Sequence, residues 1–182
     1  MRCFIGIFPP RSVREEILRV KKSMESLPMK CKFVEPENYH ISVSFLGEIS
    51  ENVLNEIKKK LEKICENFPK FNVRLNKIVF IPTEKYFRVI AFDVSDGKDF
   101  LIKLSKDVKK TIGGDTKPPH LTICRVKKVE KKEDVLNKLK NIEVDINFLA
   151  ESVCIVKSEL SRKGPKYTVM KKIEFKGQFL QF

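Results

Sequence analysis

Apolar and polar positions alternate along this chain in two rhythms, a period of two and a period near 3.6, and the switches between them mark its elements. Residues 2–8 form a short apolar run that predicts a strand, closed by Pro9-Pro10. From Ser12 the spacing lengthens: Val13, Ile17, Leu18, Val20, Met24 and Leu27 recur at three- and four-residue intervals, predicting a helix. Ser12, followed by Glu15 and Glu16, resembles a capping box at its start. A short strand over 32–34 breaks at Pro36, and a second is predicted from Tyr39 to Leu46. Ser50 then precedes a long helix whose apolar side carries Val53, Leu54, Ile57, Leu61, Ile64 and Cys65.

The middle of the chain repeats this grammar. Phe71 to Ile81 and Tyr86 to Val94 are β-rich runs joined by Pro82-Thr83-Glu84-Lys85, which predicts a hairpin. A helix over 99–112, with Phe100, Leu101, Leu104 and Val108 facing inward, stops at Gly113-Gly114. Pro118-Pro119 introduces a strand from His120 to Val126. A helix at 133–141 and strands near 143–149, 151–160 and 167–175 complete the pattern. Strands joined in hairpins predict mainly antiparallel sheets, and no linker or low-complexity stretch divides the chain. The expectation is therefore one α+β domain over residues 1–182, with two halves of similar pattern.

Composition adds a field to this outline. The formal charge is +13, and Lys outnumbers Arg by 29 to 8. Such a surface attracts polyanions such as RNA. The same abundance of Lys and Glu, with only two Gln, also fits a protein built for high temperature. No apolar run approaches the roughly 18 residues of a spanning helix. The apolar N-terminal stretch is too short for a signal peptide, which predicts a cytoplasmic protein. The five cysteines, Cys3, Cys31, Cys65, Cys124 and Cys154, are scattered without a C-x-x-C, and read as reduced packing residues.

The chemistry-bearing signal is a repeat. The chain has two histidines, in His40-Ile41-Ser42-Val43 and in His120-Leu121-Thr122-Ile123. Both would gain a hydroxyl two residues later by chance in roughly one chain in a hundred. On a strand, His40 and Ser42 leave one face while Ile41 and Val43 leave the other, and the second motif behaves alike. Two such strands facing a shared groove would offer two imidazoles and two hydroxyls to a phosphate diester. One histidine can take a proton from water and the other can give one to the leaving oxygen. The Ser42 and Thr122 hydroxyls can bind the non-bridging oxygens. A metal site is the competing reading, but no carboxylate or thiol stands near at a recognisable ligand spacing. A basic RNA-binding module without catalysis is another, though it has no need of a duplicated motif. Phe45, in step with Ile41 and Val43, is expected in the core.

These motifs, with FLGEI after the first and CRVK after the second, resemble the two-histidine (LigT-like) phosphoesterases. The match is to their RNA 2′,3′-cyclic phosphodiesterase branch, also called 2′-5′ RNA ligases. Arg2 to Ile7, Phe33 to His40, Glu159-Leu160 and Gly164-Pro165-Lys166-Tyr167 extend the likeness along the chain. The resemblance implies a bilobal, pseudo-two-fold fold with a basic central cleft, outer helices and no cofactor or metal. It also implies that His40 is the proton donor, His120 the proton acceptor, and that Ser42 and Thr122 bind phosphate. Its implied partner is RNA with 2′,3′-cyclic phosphate ends, tRNA halves among the candidates, acted on by a monomer. Hydrolysis to a 2′-phosphate is the expected reaction, with ligation to a 5′-hydroxyl end the alternative. Ser42 stands where Thr is usual, and residues 113–119 lack an aromatic that often precedes the second motif. Arg125 and Tyr167 are candidate substrate contacts. Strict alternation sends Arg125 away from His120, so it is either a surface charge or a site residue returned by a bulge.

Overall fold

The computed structural model describes residues 1–178. In chain order the elements are β1 (Arg2–Ile7), α1 (Arg11–Met24), β2 (Met29–Phe33), a 3₁₀ turn (Pro36–Asn38), β3 (Ile41–Glu48), α2 (Glu51–Glu66), β4 (Phe71–Pro82), β5 (Phe87–Val94), α3 (Lys98–Thr111), β6 (His120–Val129), α4 (Lys132–Lys140), β7 (Ile146–Ala150), β8 (Ser152–Ser161) and β9 (Gly164–Glu174). Each predicted element is present within a few residues. Ser50 caps α2 as expected, its Oγ accepting from the Val53 N–H at 3.3 Å. Ser12 does not cap α1: that helix begins at Arg11 behind Pro10, with no side-chain cap bond. Ser12 lies inside the first turn and not ahead of it, and the Val13 N–H donates to the Pro10 carbonyl at 3.1 Å.

The strands run in the order β7-β4-β5-β6-β3-β1-β8-β9, with β2 paired further along the same edge of β6 as β3, and every strand pairing is antiparallel. The two halves of the sheet, β3-β1-β8-β9 and β7-β4-β5-β6-β2, meet at a single residue pair, Ile41 with Leu121. This is the antiparallel α+β plan expected from the strand pattern, in the two lobes that the family resemblance implies, with the lobes hydrogen-bonded into one curled sheet. Helices cover one face of it. Helices α2 and α3 lie on the β3–β9 half, and α1 and α4 on the other. Because β1 leads to α1, and β5 to α3, each half sends a helix across to the other.

The core lies between helices and sheet, and contains Ile5, Ile17, Ile41, Leu61, Ile90, Leu104, Leu121 and Leu139 at no more than 1% exposure. All five cysteines are free, and four are buried. Among the described residues, no helix is long and apolar enough to cross a membrane. The face opposite the helices is left open, and both histidine motifs look out on it.

Candidate active site

Strands β3 and β6 lie side by side instead of facing across a groove, because they share backbone hydrogen bonds at the Ile41–Leu121 pair. Both of these side chains are fully buried against the helices, so their neighbours His40, Ser42, His120 and Thr122 emerge together on the open face. Continuing the antiparallel register sets His40 across from Thr122 and Ser42 across from His120. The histidines are then diagonal neighbours, for which the backbone separation is about 7–8 Å. The hydroxyls occupy the other diagonal. A phosphate resting at the centre would have an imidazole on each of two opposite sides.

The two imidazoles are oriented alike. His40 Nδ1 lies 2.8 Å from the Asn38 carbonyl oxygen, and His120 Nδ1 lies 2.8 Å from that of Pro118. A carbonyl can only accept, so each Nδ1 is the donor, and each Nε2 is left to exchange the working proton. In neutral His40 the Nε2 accepts from the Ser42 hydroxyl at 3.0 Å. Asn38 is itself buried, and its Nδ2 donates to Pro165 O at 2.9 Å, fixing the segment before the first motif to the β8–β9 hairpin.

Their surroundings differ. The His40 ring is walled by Phe4, Phe8 and Tyr167, with ring centroids 4.7, 5.6 and 5.4 Å away. Burial in this apolar box pushes the His40 pKa down; the Asn38 bond opposes that, and the charges of His120 and Arg125 add to it. Tyr167 is thus a wall of the His40 pocket, and burial raises its phenol pKa against the pull of Arg125 and Arg2. Gly6 of β1 completes the pocket. A Cβ there would stand 3.2 Å from Ile41 O, 3.2 Å from the Phe4 ring and 3.4 Å from His40 Cδ2.

Strict alternation fails just after both motifs, at corresponding positions. Opposite β1, Gly6 pairs with Ser42 and Ile5 with Ser44, so Val43 is an extra residue; opposite β5, Ala91 pairs with Thr122 and Ile90 with Cys124, so Ile123 is extra. Each bulge adds one residue and flips the faces that follow it. Ser44 and Cys124 become fully buried, and the fifth residue after each histidine returns to the open face. For the second motif that residue is Arg125, close enough to bear on both His40 and Tyr167. For the first it is Phe45, which is 40% exposed and not a core residue as alternation predicts. The Lys117 Nζ stands 5.8 Å from its ring centroid. Buried Ser44 donates to Gly113 O at 3.0 Å, and Gly114, with φ +93°, lets the loop before His120 lie against β3 without a Cβ in the way.

The site thus unites His40, Ser42, His120, Thr122, Arg125 and Tyr167. Sequence reasoning missed Phe4, Phe8, Asn38 and Gly6; a glycine inside an apolar strand was the available signal for a close approach. Among the described residues, no three His, Cys, Asp or Glu side chains converge where they could hold a metal ion.

Known proteins resemble this chain in sequence and in fold. A family model described as LigT like Phosphoesterase matches residues 7–91, which include the first motif. An RNA 2′,3′-cyclic phosphodiesterase of Aquifex aeolicus is 32% identical over 97% of this chain and 98% of its own length. One from Methanocaldococcus jannaschii is 34% identical over 94% of this chain and 99% of its own. The chain belongs to the LigT-like phosphoesterase family. Its fold is also that of a crystal structure from Thermus thermophilus, with a TM-score of 0.85 at 22% identity over 98% of this chain and all of that one. The family relation covers both motifs, since the two relatives align with nearly the whole chain and not with its first half alone.

Proposed function

We propose that this protein hydrolyses 2′,3′-cyclic phosphate ends of RNA to 2′-phosphates, using His40 and His120 as the proton donor and acceptor. The observation that carries this reading is the diagonal pair of imidazoles, each with its Nδ1 committed to a carbonyl, so that Nε2 is the nitrogen that exchanges the proton. Full-length relatives named RNA 2′,3′-cyclic phosphodiesterases supply the substrate class.

The cyclic phosphate sits between the motifs, with its non-bridging oxygens accepting from Ser42, Thr122 and Arg125. His120 Nε2 takes a proton from water on one side as the water oxygen attacks phosphorus. The bond from phosphorus to the 3′-oxygen breaks on the other side, and that oxygen takes the proton from His40 Nε2. Attack in line with departure requires base and acid on opposite sides, which the diagonal supplies. Tyr167, Phe4 and Phe8 keep the His40 side dry, and Arg125 and the hydroxyls balance charge as it builds on the phosphate. Burial by itself pushes His40 toward its neutral form. The negative phosphodiester beside Nε2 reverses that push, so the acid is loaded as substrate binds. All proton transfers are then supplied by the chain itself.

Product analysis tests the assignment. With a nucleoside 2′,3′-cyclic phosphate as substrate, phosphorus NMR against authentic standards should show a 2′-phosphate only. A 3′-phosphate would place the 2′-oxygen at His40 and overturn the stated direction.

A further inference from the structure

Beyond the histidine site, β6 continues into a second feature. Its C-terminal end, the β4–β5 turn and the start of α4 enclose an open groove of about 500 Å³, whose polar lining is Lys85, Tyr86, Arg88, Lys127, Lys128 and Lys132. Five of these six carry positive charge. Among the described residues no ion pair engages Lys85, Lys127, Lys128 or Lys132, whereas Lys98, Lys103, Lys140, Lys157 and Lys171 each meet a carboxylate at 2.8–3.8 Å. Glu84, next to Lys85 in sequence, is engaged by Lys140 at 2.8 Å.

The sixth residue is aromatic and open. Tyr86 is 57% exposed, so no apolar neighbour claims its ring. Arg88 holds it: the guanidinium Nε donates to the phenol oxygen at 2.6 Å and its carbon lies 5.5 Å from the ring centroid. A tethered aromatic ring beside unpaired lysines matches what single-stranded nucleic acid requires, a face for a base and cations for the phosphates on either side. Strand β6 runs from the histidine site to this groove. Between them, β6 carries Arg125, and Lys32 of β2 pairs with Arg125 across the edge. Six residues of strand separate Thr122 from Lys128, on the order of 20 Å, which a few nucleotides span.

We propose that this groove is a second RNA contact, which holds single-stranded RNA several nucleotides away from the cyclic phosphate. The proposal rests on the histidine site acting on RNA ends. The histidine site processes the terminal nucleotide, and the groove selects for ends that belong to a longer unpaired strand. A mononucleotide cannot reach it.

Two variants test this, Tyr86→Ala and the triple Lys127→Ala, Lys128→Ala, Lys132→Ala, with Lys58→Ala, Lys59→Ala, Lys60→Ala as a control of equal charge. Binding of a single-stranded RNA of about eight nucleotides, within the ~4–16-nucleotide footprint of such grooves, is read by fluorescence anisotropy, independently of turnover. Both variants should weaken binding about tenfold or more, and the triple variant should flatten the salt dependence by up to about two units of slope. The control should do neither, and turnover of a nucleoside 2′,3′-cyclic phosphate should stay unchanged in all. Unchanged RNA affinity in both variants, or an equal loss in the control, would overturn the proposal. Equal binding of a duplex of the same length would also overturn it, since a paired base cannot stack on Tyr86. Failure of the wild-type protein to turn over the mononucleotide would count against the catalytic reading alone, because the binding measurement does not depend on it.

Discussion

His40 and His120 stand in matching motifs, yet the chain gives them unequal environments. Both turn Nδ1 to a carbonyl two residues earlier, but Phe4, Phe8 and Tyr167 close around His40. The motif shows in the sequence because it is local. The box does not, because its walls come from positions 4, 8 and 167 and meet only in the folded sheet. The depressed His40 pKa has a consequence for stability. The unfolded chain binds this proton near the ordinary value of about 6.5, and the folded chain only at lower pH. Stability is therefore expected to fall as pH drops below about 6.5, and to level off below the folded pKa. Urea midpoints at pH 7 and pH 5 should show a smaller drop in His40→Ala than in wild type. An identical drop in both would show that His40 titrates alike in folded and unfolded chains.

At the scale of elements, most boundaries follow from local signals. The 3.6-residue spacing marks the faces of α1 to α4, Ser50 marks the start of α2, and the proline and glycine pairs mark the ends of strands and helices. What alternation misplaces is the face of each residue beyond a bulge. Val43 and Ile123 are ordinary strand residues by composition, and only the register against β1 and β5 makes them extra. That one-residue slip takes Phe45 out of the core and brings Arg125 to the site, a reversal no local pattern reports. It also makes Arg125 testable. Arg125→Ala should lower kcat/KM for a nucleoside cyclic phosphate about ten- to a hundredfold, the ~1.5–3 kcal/mol of a hydrogen bond to a charged group. Arg125→Lys should recover part of the loss. Unchanged kinetics in Arg125→Ala would return this residue to the role of a surface charge.

At the scale of the whole molecule, the sequence pattern correctly predicts an antiparallel α+β fold with two similar halves. The manner of their joining was hidden: two strands 80 residues apart pair at one position, and helices cross from each half to the other. That single contact, Ile41 on Leu121, places both motifs on one open face and sets their histidines on a diagonal. The measurement that bears most directly on the account is therefore turnover of a nucleoside 2′,3′-cyclic phosphate by His40→Ala and His120→Ala, run with EDTA present. The chelator should leave the wild-type rate intact, and each substitution should reduce kcat at least about a hundredfold while the fold survives, as loss of general acid or base catalysis demands. Near-normal rates in both variants, or a wild-type activity that vanishes with EDTA and returns with one added metal, would contradict a site built on two histidines.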